Sequence, residues 1–223
     1  MKKYKLTDET MHIYGRTLYR IEAVKEFADV KKGDKGGWVE SENNLSQDGN
    51  CWIYYRARVY GDAKVYDNAR VYGDAKVYHY ARVYGDAEVC GNAEVYDNAQ
   101  VYDNAKVFEN AEVSFDAKVY DDAKVYEYAM VQGNAKVYGN AEIRTNACIY
   151  GDAVIDSIGD YIVFKNFWSS GRSFTWTRSN DMWKVGCFYG TGEELIEKAY
   201  KDSEISGREY ERIVKYVETI KGK

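Results

Sequence analysis

From Ala57 to Ala153 an alanine stands at every sixth position without a gap, and a branched aliphatic follows two places later: Val from Val59 to Val137, then Ile143, Ile149 and Ile155. Side chains two apart on a strand point to one side. In the unit A-K-V-Y-G-D, Ala and Val therefore face inward while the charged residue and the tyrosine face outward. The last two positions are mostly Gly, Asp or Asn, residues that tolerate left-handed backbone and turn the chain. Four residues of strand and a two-residue corner cannot form a hairpin sheet, because the apolar side never changes over. They form a triangular coil of three short strands, and stacked coils pair as parallel strands about 4.8 Å apart. Seventeen such units run in series, which makes a little under six coils and a prism about 27 Å long.

A branched aliphatic with a small residue four places on resembles the hexapeptide-repeat family, whose coils are left-handed parallel β-helices. The resemblance covers nearly half the chain. It implies a mainly β protein with a left-handed parallel β-helix over residues 51–158, an N-terminal β cap over 1–50 and a small C-terminal α+β module over 159–223. The approach G-G-W-V-E-S-E-N-N-L-S-Q-D-G-N-C-W-I-Y resembles the start of bacterial YdcK-like hexapeptide-repeat proteins, often labelled transferases. Its expected job is to close the first coil, whose open edge would invite aggregation.

After Ile158 the period stops. Residues 161–188 alternate and are rich in aromatics, and S-S-G and S-N-D punctuate them as turns, which predicts three antiparallel strands. Thr191 is placed to N-cap a helix with Glu193 and Glu194 in its first turn. A second helix is predicted from about Ser206, with Ile213, Tyr216, Val217 and Ile220 on one face. This β-β-β-α-α module resembles C-terminal modules of phage and prophage hexapeptide-repeat proteins.

Residues eighteen apart stack, so the outside of the prism can be mapped. One face carries Tyr66, Tyr84, Tyr102, Tyr120 and Tyr138 in a column beside Lys64, Arg82, Gln100, Lys118 and Lys136. Aromatic rings beside cations can receive a nucleotide-like ligand or a protein surface, or can serve as a subunit contact. Tyrosine also simply suits a strand surface and stacks on itself in any in-register ladder. The C-terminal module gathers Trp168, Trp176 and Trp183 with Arg172 and Arg178, either as binding anchors or as a tryptophan-rich core with solvated basic edges.

Composition narrows the function. Proline is absent where about eleven would be average, as expected if every coil donates backbone N–H groups to the next. Residues 57–158 hold 10 Lys/Arg against 17 Asp/Glu within a net charge of -5, which argues against general nucleic-acid binding. No signal peptide or membrane-length apolar run is present, and the four scattered cysteines read as reduced thiols of a cytoplasmic protein.

Hexapeptide-repeat acyltransferases use a histidine as base, and the resemblance makes His79, at a corner, the one weak catalytic candidate. The hexads run without an insertion, and two histidines in all cannot furnish a three-histidine zinc site from one subunit. P-loop, dinucleotide and nucleophile-elbow motifs are missing. The expectation is a non-enzymatic binding or scaffold protein without cofactor or metal. It would be a homo-oligomer, dimer or trimer, that presents its Tyr-rich faces to a host protein or holds a nucleotide-like ligand. An acyltransferase-like enzyme using His79 is the alternative.

Overall fold

A computed structural model describes residues 2–221 of the chain. Strands β1 (Tyr4–Ile13) and β2 (Arg16–Ala23) form an antiparallel hairpin, and β2 pairs antiparallel with β3 (Lys35–Val39). At β3 the mode of pairing changes: Trp38 and Val39 run parallel to Arg58 and Val59. From there the two-residue strands β4 (Trp52–Ile53) to β21 (Val154–Ile155) stack into three parallel sheets, one per face of the prism. The result is a parallel β-solenoid of about seven coils.

The parallel ladder thus opens ahead of the hexad period. Gly37-Trp38-Val39 occupies the place of Ala57-Arg58-Val59, Leu45 bridges Val65, and Trp52-Ile53 closes this irregular coil against Arg70-Val71. Glycine replaces alanine because a Cβ at residue 37 would lie 2.5 Å from both the Ala57 carbonyl oxygen and Ile53 Cγ2.

Inside the regular coils every Ala and Val/Ile column is fully buried. Backbone donors reach the next coil, as in Arg58 N–H to Ala75 C=O at 3.0 Å, Tyr60 N–H to Val77 C=O at 3.1 Å and Asp74 N–H to Gly91 C=O at 2.8 Å. Three donors per unit are committed in this way, which accounts for the exclusion of proline. From Gly61 to Gly151 the first corner residue of each unit is left-handed whether or not it is glycine, with φ +58° at His79, +59° at Phe115 and +62° at Thr145.

Both ends are closed by side chains. At the start, the Asn44 amide donates to the carbonyls of Gly61 (2.8 Å) and Ala63 (2.9 Å). At the finish, Thr175 Oγ1 and Ser179 Oγ accept the N–H groups of Cys148 (2.9 Å) and Val154 (2.7 Å), which have no further coil to bond.

The C-terminal module has β22 (Tyr161–Lys165), β23 (Ser173–Thr177), β24 (Met182–Val185) and β25 (Phe188–Gly190) in one antiparallel sheet, followed by α1 (Gly192–Asp202) and α2 (Glu204–Ile220). That is one strand more than the alternation predicts, because Gly186 at φ +55° turns the chain back after Val185. Thr191 caps α1, with its Oγ1 accepting Glu194 N–H at 3.2 Å and Glu194 accepting Thr191 N–H at 2.8 Å. On α2 the buried face is Tyr210, Val214 and Val217, while Tyr216, predicted on the inner face, is 56% exposed.

Candidate functional site

The tyrosines predicted to align do so. Tyr66, Tyr84, Tyr102, Tyr120 and Tyr138 form a continuous ladder with ring centroids 4.8–5.1 Å apart and planes within 8° of parallel. The coil repeat itself sets that spacing. Every ring is half-buried by its neighbours, and Lys64, Arg82, Lys118 and Lys136 flank the ladder. Burial, then the rings of Tyr84 and Tyr120, pushes the Tyr102 hydroxyl up to about 12.

What distinguishes this face is how little of its polar capacity is spent. On the Tyr60 face, Lys76 pairs with Glu94 at 2.6 Å, and Tyr78 and Tyr96 donate to Glu94 (2.9 Å) and Glu112 (3.2 Å). On the Tyr72 face, Glu88 takes Arg70 at 2.7 Å and Tyr72 at 2.8 Å, and Glu142 takes Lys124 at 3.1 Å and Tyr126 at 3.2 Å. On the Tyr66 face, among the described residues, none of the four cations has a carboxylate within 4.0 Å. Only Tyr84 donates a hydroxyl, to Gln100 at 3.3 Å. The adjoining corner is acidic, with Asp86, Asp103, Asp121 and Asp122 along a furrow of about 640 Å³.

The C-terminal aromatics separate into two groups. Trp176 and Trp183 are 0% and 1% exposed and form the module's core with Phe174, Leu195 and Tyr210. The helices pack over them. Trp168 is half-buried, edge-on to Tyr210 at 4.9 Å. Arg178 lies over the Trp176 ring at 5.8 Å and donates to the carbonyls of Gly159 (3.2 Å) and Lys221 (3.0 Å), so it ties the module together. Arg172 is exposed and has no carboxylate partner among the described residues.

His79 sits at an exposed corner with Nδ1 2.9 Å from Asp97 Oδ1. An ionised carboxylate can only accept, so the contact takes a proton on Nδ1, and in the neutral ring that leaves the lone pair on Nε2. Asp97 is itself held by Phe115 N–H at 3.3 Å. A shallow groove of about 350 Å³ adjoins His79, lined also by Arg16, Glu40, Ser41 and Gly61. Glu40 is already engaged there by Arg16 (2.9 Å) and Gly61 N–H (2.7 Å).

A deeper groove escaped the sequence reading. It lies where the C-terminal module meets the Tyr60 face, encloses about 560 Å³, and has Met130, Gln132 and Cys148 as floor with Lys165, Arg172 and Lys184 on the module side. Its parts come from segments far apart in sequence. The one advance signal is that positions 130, 132 and 148 break the rule of charged residue and tyrosine that most units obey.

Two comparisons bear on this geometry. The YdcK β-solenoid repeat matches residues 63–79 and 69–85. A protein of Escherichia coli (strain K12) described as "Uncharacterized acetyltransferase YdcK" is 38% identical over 72 residues. That stretch covers 28% of this chain and 22% of the E. coli protein. Within the solenoid, residues 63–85 are therefore similar to the YdcK β-solenoid repeat.

Proposed function

We propose that this chain is a non-enzymatic binding scaffold, a rigid prism that docks a protein surface through its Tyr66 face, in the first instance a second copy of itself. The observation that carries this is the unspent polar capacity of that face, where the ladder and its cations lack the internal partners found on the other two. Stacked rings are already ordered, so docking on them costs little side-chain entropy. The charges favour one arrangement. The basic column and the acidic corner lie on opposite sides of the ladder. A twofold axis parallel to the solenoid lays each basic column on the partner's acidic corner, whereas a perpendicular one sets like on like. Capture of a host factor or a nucleotide-like ligand by a phage-borne protein extends the same proposal. It is supported by the resemblance of the C-terminal module. A reducing, cytoplasmic setting is part of it too and is supported by four free thiols, Cys187 among them exposed. Among the described residues no helix is long and apolar enough to cross a membrane.

Native mass spectrometry and sedimentation of the intact chain test the proposal. A dimer is expected that falls to monomer in high salt and in the Lys118→Glu/Lys136→Glu and Tyr102→Ala variants, with unchanged circular dichroism. An oligomer indifferent to all three changes would sink it.

A second reading, acyl transfer with His79 as base, is favoured by the Asp97–His79 pair, in which Nε2 is free to take a proton from an acceptor. The description of the E. coli protein as an acetyltransferase supports the same reading. His79→Ala should then abolish acetyl transfer from acetyl-coenzyme A while leaving the oligomer intact. Equal turnover by the variant would exclude His79.

A further inference from the structure

The groove between the C-terminal module and the Tyr60 face has a charge unlike its surroundings. The solenoid is acidic, yet Lys165, Arg172 and Lys184 converge on this concavity and no carboxylate lines it. None of the three has a carboxylate within 4.0 Å among the described residues, whereas the cations higher up the same face are paired, Lys76 with Glu94 at 2.6 Å and Arg58 with Asp74 at 3.9 Å. Lys184 is held with its ammonium 4.5 Å over the Tyr150 ring. The nearest acid along the floor column, Glu112, is occupied by the Tyr96 hydroxyl at 3.2 Å.

The floor explains the cavity. The outward column on this face runs Arg58, Lys76, Glu94, Glu112, and then changes to Met130 and Cys148, while its tyrosine column gives way to Ser114 and Gln132. Cys148 is buried because β23 lies on it, with its N–H on Thr175 and its thiol pushed up to about 11 by burial. Met130 and Gln132 sit one coil higher and are only half-buried. Packing under the module therefore does not account for them. Had the repeat continued, a charged side chain and a tyrosine ring would fill the space. Their replacement opens about 560 Å³, within the range of small-molecule sites.

The frame is fixed on both sides. Thr175 and Ser179 hold the last strands, Tyr161 donates to the Glu142 carbonyl at 2.8 Å, and Tyr189 packs edge-on to Tyr150 at 4.9 Å. The cations are thus presented across a gap that neither unit can close on its own.

We propose that this groove binds a small organic phosphate of about nucleotide size. Arg172 takes a phosphate oxygen pair through its planar fork, Lys165 and Lys184 balance the remaining charge, Gln132 and Asn146 offer amide donors, and Met130 supplies an apolar contact for the organic part. The site stands independently of docking through the Tyr66 face.

Isothermal titration of the full chain with pyrophosphate, ATP and citrate tests this. Saturable binding of one ATP per chain is expected, with pyrophosphate weaker and citrate weakest. Arg172→Gln and Lys184→Gln should each weaken ATP by about tenfold. Melting without ligand should not change, since Arg172 is exposed and Lys184 half-buried. Gln132→Tyr, which restores the repeat, should block the groove and abolish binding. Absence of saturable phosphate binding, binding indifferent to these substitutions, or citrate binding as tightly as ATP would each overturn the proposal.

Discussion

The ammonium of Lys3 lies 2.9 Å from the carbonyl oxygen of Cys51 and 3.2 Å from its sulfur, with the carbonyls of Asp48 (3.2 Å) and Gly49 (3.4 Å) completing its shell. Lys3 is 1% exposed, and burial lowers its pKa. A cation there does what a preceding coil does elsewhere: it gives donors to carbonyls at the open end of the stack.

Lys3→Met keeps the length of the side chain but leaves those carbonyls bare. The expected loss is about 2 kcal/mol, read as a lower urea midpoint. Hydrogen exchange should quicken first around residues 48–53.

Left-handed corners make opposite predictions for different residues. Thr145 is β-branched and sits at φ +62°, so Thr145→Gly should raise stability by about 0.5–1 kcal/mol, the strain relieved less the chain entropy glycine adds. Gly91→Ala should lower it by more than about 1 kcal/mol, because the new Cβ would meet Glu109 N at 2.8 Å as well as adopt φ +69°. Thermal midpoints of the two variants should move in opposite directions.

In the middle of the stack Val101 is fully buried between Val83 and Val119. Val101→Ala should cost about 2–3 kcal/mol, while Tyr128→Ala at an exposed corner should change the urea midpoint little. Equal losses would mean that the inner columns do not form the core.

Hydroxyl ionisation provides a pH test. Tyr102 is pushed up to about 12, and Tyr66, Tyr84 and Tyr120 are raised as well, burial being the first cause in each. An unfolded tyrosine ionises near pH ~10. Between about pH 10 and 12 the unfolded chain gives up protons that the native chain keeps, so stability falls with rising pH. Below that window the contribution is fully present. The urea midpoint should drop between about pH 10 and 12, and Tyr102→Phe should shrink the drop.

The coils and their columns were legible because six-residue spacing carries direction, and eighteen-residue spacing carries neighbourhood. The irregular opening coil was not, since Gly37 and Leu45 satisfy the same inner geometry without the Ala-x-Val signature; G-W-V was its one trace. Trp176 and Trp183 could be read either as anchors or as core, because an aromatic-rich alternation is the same whether its inner side meets a ligand or a pair of helices. The junction groove could not be read from any single segment. Arg172 and Lys184 gain meaning only when β23 and β24 are laid beside Met130 and Gln132, a distant relation with no local signature.

Both end pieces rest on the Tyr60 face. The β1–β2 hairpin packs Leu18 on Trp38 and Tyr60, and the C-terminal sheet packs on Cys148 and Tyr150. Their separation is therefore counted in whole coils. Eighteen added residues would move them apart by about 4.8 Å without rotation, whereas six would swing the C-terminal piece about a third of a circle onto a different face. The chain works as a ruler whose graduations preserve angle, and lengths between the marks are forbidden to it.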